Sequence, residues 1–312
     1  MNNPKIDRVI SHLRAPFISL RKHGPGQLQF WIIALVIGIA AGFATLGFRL
    51  TIAWLQTQLY GESDVMLASA ARELPWFLVM GLPVFGGLLV GLILHRFTPD
   101  GRARSVAHVI EGAAIHDGKV EGRAGLASAF ASLITLSTGG STGREGPVVH
   151  FGALISSKIS RLIKADAVTA RDLMGCAVAA AVAASFNAPL AGALFAMEVV
   201  LRHYAVHALA PILIAAVAGS VVSRLYFGNI TEFILPVHTR DFYVELPAYV
   251  LLGAVCAFVA VALIRAIFWA EDVGDRAQAK FGFPTWMRPA FAGALLGIIA
   301  LQFPHIIGVG YE

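Results

Sequence analysis

The sequence predicts an all-α polytopic membrane protein, and three observations carry that prediction. The 312-residue chain is 57% hydrophobic and only 14% charged, with a mean hydropathy of +0.72, whereas a water-soluble domain is nearer a quarter charged. Its charges sit between about eight apolar blocks that lack Asp, Glu, Lys and Arg, among them 24–48, 74–95, 124–143, 173–197, 203–223, 246–264 and 289–311. Each block matches the ~20 residues that a helix needs to cross the hydrocarbon core. The segments between blocks also alternate in the sign of their charge. Soluble enzymes, nucleic-acid-binding modules and secreted disulfide scaffolds are thereby excluded, since the net charge of +5 is dispersed between spans.

Taken in order, residues 1–27 form an N-terminal segment with Lys5, Arg8, Arg14, Arg21 and Lys22 against Asp7. The positive-inside rule places it in the cytoplasm. Residues 28–312 are then the transmembrane domain. Leu28–Tyr60 reads as one long helix. The segment after it carries Glu62, Asp64 and Glu73 against Arg72, and the segment after the second span carries Arg96, Arg102 and Arg104 against Asp100, which fits a chain going out and returning. Later, 227–245 is acidic and reads as external, and 265–288 is mixed in sign and reads as internal. Gly38/Gly42, Gly87/Gly91 and Gly293/Gly297 offer small-residue faces, which let helices approach closely where no hydrophobic force drives packing.

The middle third breaks this pattern. Short helical runs are interrupted within apolar sequence at Thr138-Gly-Gly-Ser-Thr-Gly-Arg-Glu-Gly-Pro147 and at Ser185-Phe-Asn-Ala-Pro189. Broken backbone at membrane depth is tolerated only where protein or water surrounds it, and transporters use discontinuous helices to aim helix ends at a substrate. Pro147 suits the first turn of a helix, so a helix is expected from Gly146–Pro147 to Leu162. Its amino end, framed by Gly143, Arg144, Glu145, Gly146 and Pro147, presents free N–H groups and partial positive charge to a small anion. Glu145 is ionisable in a membrane segment, which marks it as functional by default. Charged, its carboxylate fills the anion site; protonated, it swings away, which makes it a gate. A capping glutamate paired with Arg144 is the competing reading.

Gly143-Arg-Glu-Gly-Pro147, followed forty residues on by Ser185-Phe-Asn-Ala-Pro-Leu-Ala-Gly-Ala-Leu-Phe-Ala-Met-Glu198, resembles the CLC family of chloride channels and chloride/proton exchangers, in its bacterial form. The resemblance implies a CLC-like inverted-repeat fold of tilted and broken helices, with a first inverted half at about 28–226 and two further helices at about 245–304. It is expected to be incomplete at the C-terminus. It also implies a homodimer in a lipid bilayer, most simply a bacterial inner membrane, whose subunits pass chloride or a similar small anion. By the same resemblance Glu145 is the external gate, and the family's first filter motif falls on Arg104-Ser-Val-Ala-His108, where only Ser105 survives to offer a hydroxyl to the anion. Arg104 reads as a solvated loop arginine ahead of an added charge at the cytoplasmic mouth.

In exchangers of that family a proton-transfer glutamate follows the position of Glu198; here it is Val199. Glu198 itself reads as a buried carboxylate, either structural and bonded to nearby backbone or able to handle protons. Channel-like anion flux is therefore expected ahead of chloride/proton or fluoride/proton antiport. From other classes, an intramembrane protease lacks its Gly-x-Ser-Gly motif, since Gly139-Gly-Ser-Thr142 misses the last glycine, and a non-transporting scaffold is separable by a flux assay. No enzyme activity, cofactor or metal is expected. Ten histidines lack ligand spacing, and Cys176 and Cys256 lie in apolar blocks as ordinary packed thiols.

Overall fold

A computed structural model of the chain describes residues 26–62, 66–204, 206–228 and 242–309. The basic N-terminal segment up to residue 25, most of the acidic stretch 227–245 and the last three residues lie outside the described part. Among the described residues eleven α-helices follow in order. They are α1 (Gln27–Tyr60), α2 (Leu67–Glu73), α3 (Trp76–Phe97), α4 (Val106–Ile115), α5 (Gly122–Ser137), α6 (Glu145–Ile163), α7 (Ala167–Phe186), α8 (Pro189–Phe195), α9 (Val206–Phe227), α10 (Phe242–Phe281) and α11 (Arg288–Gln302). A π-helical turn, Ala196–Leu201, continues α8. Among the described residues five helices are long and apolar enough to cross a membrane: α1, α3, α7, α9 and α10.

The long first helix expected at Leu28–Tyr60 is α1, which gains one residue at its start. At 1.5 Å per residue it extends about 50 Å, well past the ~30 Å hydrocarbon core, so it tilts or runs beyond the core. It closes on Gly61, whose φ of 86° is left-handed and whose N–H returns to the Thr57 carbonyl.

The core is built around α7. Its run Leu173–Ala184 is buried throughout, and its side chains are mostly alanine, so three neighbours bring glycines against its backbone. A Cβ on Gly152 of α6 would collide with the Ala177 carbonyl, one on Gly192 of α8 with that of Ala179, and one on Gly219 of α9 with that of Ala180. Small residues on both sides replace the hydrophobic drive that lipid withholds.

All three small-residue faces read from the sequence are helix contacts. Gly38 and Gly42 of α1 face Ala215 and Gly219 of α9; Gly87 and Gly91 of α3 face Pro289 and Trp286; Gly293 and Gly297 of α11 face Pro83 and Met80 of α3. By contrast, the apolar part of α10 is exposed on every side, with Leu251, Phe258, Leu263 and Phe268 all more than half accessible. Its far end is tied down by Glu271 to Arg102 at 2.8 Å and by Asp275 to Arg288.

Candidate functional site

The two interruptions predicted in the middle third are real breaks, and side chains from α1 satisfy them. Gly139 has a φ of 88° between α5 and α6; the Tyr60 hydroxyl donates to the Thr138 carbonyl at 2.9 Å, and the Gly308 N–H donates to that of Gly139 at 3.3 Å. At the second break Asn187 ends α7 with a left-handed φ of 55°, and Arg49 donates to the Ser185 carbonyl at 3.2 Å. The Thr138, Gly139 and Ser185 carbonyls thus find protein donors at the breaks.

Beyond the first break α6 begins at Glu145, two residues before the proline that was expected to open it. Arg144 is the N-cap and is 5% exposed. Glu145 lies in the first turn, half-buried, and its carboxylate curls back to where a Gly143 side chain would stand. Gly146 has open space beside it, since a Cβ there would meet no atom within 4 Å.

Ser105 is the N-cap of α4 and is exposed. Its N–H donates to His108 Nδ1 at 3.1 Å, and its Oγ lies 3.3 Å from that same nitrogen. His108 thus folds back over the helix start, within the segment on which the family's first filter motif falls. Helices α4 and α6 pack against each other, so the elements carrying Ser105 and Glu145 are neighbours.

Three of the sequence readings are corrected. Arg104 is not a solvated loop arginine: its side chain is 8% exposed and lies between Asp100 at 2.8 Å and Glu121 at 2.9 Å. Its N–H donates to Ser128 Oγ at 2.8 Å. Burial opposes charge on Asp100, but the Arg102 N–H and the Arg104 guanidinium outweigh it and hold its carboxyl below the usual range. Nor is Glu198 a buried carboxylate bonded to backbone. It is exposed on the π-turn and accepts a 3.3 Å hydrogen bond from the Tyr204 hydroxyl. Val199 beside it is 36% exposed. Cys176 is a buried free thiol as expected, but Cys256 is exposed.

A cavity of about 780 Å³ lies between α4, the α4–α5 turn and α6, lined by Arg104, His108, Glu111, Glu121 and His150 among others. The sequence reading missed this cavity and His150. Glu111, His116 and Asp117 flank the α4–α5 turn, and Ser157 of α6 fixes that turn by accepting from the Val120 N–H at 3.1 Å. Among the described residues no group of three or more His, Cys, Asp and Glu could hold a metal ion.

The model of the voltage gated chloride channel family matches residues 86–312. The chain belongs to that family. Among relatives of the voltage-gated chloride channel family, a protein of Ralstonia nicotianae named as ClcB-like is 31% identical over 287 residues, covering 90% of this chain and 65% of its own length. The chloride channel protein CLC-f of Arabidopsis thaliana is 29% identical over 301 residues, 92% of this chain and 38% of its own. The chain thus spans under two thirds of both. A solved structure described as a slow cyanobacterial Cl−/H+ antiporter superposes with a TM-score of 0.75 at 23% identity, over 90% of this chain and 66% of that one. That likeness shows the fold.

Proposed function

We propose that this protein passes chloride across a membrane through a pathway that opens when the Glu145 carboxylate leaves it. One observation carries the reading: a half-buried carboxylate occupies the first turn of α6, directly after a backbone break, where helix N–H groups gather. An anion and a carboxylate compete for such a helix end on equal electrostatic terms. Protonation removes the competitor. The anion-binding residues of this reading are Gly143, Arg144, Glu145, Gly146 and Pro147 together with the Ser105 hydroxyl.

The names of the relatives, a chloride channel protein on one side and Cl−/H+ and fluoride/proton antiporters among the solved structures on the other, support anion transport as the shared activity. Val199 supports channel-like flux for this chain, because valine offers a proton no acceptor at the exchanger relay position. The reading includes a homodimer in a bacterial inner membrane with a cytoplasmic N-terminus, a first inverted half at about 28–226 and two further helices at about 245–304.

The test is chloride efflux from proteoliposomes. Glu145→Gln, which mimics the protonated side chain, should carry chloride faster and nearly independently of external pH. Flux in that variant that still follows external pH overturns the gate.

A further inference from the structure

His108 is unexplained by the gate at Glu145. Its ring places an acceptor on both donors of Ser105: the Ser105 N–H donates to Nδ1 at 3.1 Å, and the Ser105 Oγ lies 3.3 Å from that same nitrogen. A small anion held by Ser105 needs those two groups, so ring and anion exclude one another. The other ring nitrogen, Nε2, lies 3.3 Å from an Arg104 guanidinium nitrogen, which can only donate. Arg104 is not free to withdraw, since Asp100 and Glu121 hold its guanidinium and Ser128 Oγ holds its N–H. A neutral imidazole has one bare nitrogen. With that nitrogen turned to Ser105, Nε2 points its hydrogen at a fixed cation, and a second proton on Nδ1 sets N–H against N–H at Ser105 and charge against like charge at Arg104.

We propose that His108 is an inner gating residue of the anion pathway, which covers Ser105 when neutral and uncovers it when protonated from the cavity. The proposal rests on the reading of Ser105 as an anion ligand. Water reaches the ring, because it is half-buried and lines the 780 Å³ cavity. Into that cavity α4 itself brings Glu111 and His116, the α4–α5 turn brings Asp117 and Lys119, the start of α5 brings Glu121, and α6 brings His150. The π-turn that also packs on α4 carries Glu198, which is engaged by Tyr204. Glu111, three residues along the same helix, is within reach of a charged ring that leaves Ser105. One proton passes from cavity water to Nδ1, the Ser105 N–H and hydroxyl are released to the anion, and nothing is oxidised or reduced.

The experiment is chloride flux in proteoliposomes with the pH of each side set independently, in the Glu145→Gln background so that the carboxylate at α6 does not titrate. Flux should rise several-fold as the cavity side goes from pH 7.5 to 5.5, the range in which imidazoles titrate. His108→Gln keeps an acceptor for the N-cap N–H, as glutamine does at the third position of a helix, but takes up no proton; its flux should stay at the low pH 7.5 level throughout. His108→Ala removes the cover, and its flux should be several-fold higher and flat with pH. Absence of the cavity-side response where His108 is intact, its persistence in His108→Gln, or flux in His108→Ala no higher than in His108→Gln overturns the proposal. Failure of the underlying reading has a different signature: Ser105→Ala then leaves the half-saturating chloride concentration unchanged, and the proposal falls with it. Should His108→Ala not fold, the pH profile of His108→Gln against intact His108 decides alone.

Discussion

Arg104 holds Asp100 with one guanidinium nitrogen at 2.8 Å and Glu121 with the other at 2.9 Å, tying the segment before α4 to the residue that caps α5. The arginine is the sheltered partner, while its carboxylates are 44% and 63% exposed. Removing it therefore leaves two acids that water can rehydrate, and the cost is that of a mostly exposed network.

Arg104→Met should lower stability by about 1–2 kcal/mol, read as a fall of a few degrees in the melting temperature in detergent. The Asp100 carboxyl is held below its usual range, so its contribution is present above the unfolded value near 4 and lost as pH falls through the lower folded value. The gap between wild type and variant should stay constant from pH 7 to 5 and close below about pH 4. An unchanged melting temperature at pH 7 would show that the clamp contributes nothing.

Two glycines on the same helix should behave oppositely. Gly87 of α3 faces the Pro289 carbonyl, and Gly81 has nothing within 4 Å of its missing side chain. Gly87→Ala should destabilise by about 1–3 kcal/mol, since backbone must move. Gly81→Ala should be neutral or stabilising by up to about 1 kcal/mol through helix propensity. Equal effects of the two in a thermal melt would contradict the α3–α11 packing.

Val199 predicts uncoupled flux. The reversal potential of the reconstituted protein under opposing chloride and pH gradients should be set by chloride alone. A clear displacement by the pH gradient would show that protons are exchanged despite the valine.

Span positions were legible because transfer from water to hydrocarbon is written in composition: a charge-free run near twenty residues long has few other places to go. The α6 start and the breaks at Gly139 and Asn187 were legible because Pro fixes the backbone and Gly frees it locally, whatever surrounds them. Arg104 and Glu198 were misread for the opposite reason. The environment of a charge depends on partners such as Glu121, seventeen residues away, and on what a π-turn exposes, and neither is a property of the local window.

By itself, then, the sequence determined that this chain crosses a membrane repeatedly, that its middle third is broken, and that Glu145 stands at a helix amino end, all consequences of solvation and local backbone geometry. Only the tertiary structure decided which glycines meet which carbonyls around α7, that Arg104 is a clamp, and that the Gly125 gap receives the ring of His150. Those facts depend on which distant surfaces come within van der Waals reach, and the energy of a buried polar group is set by the neighbours it finds there.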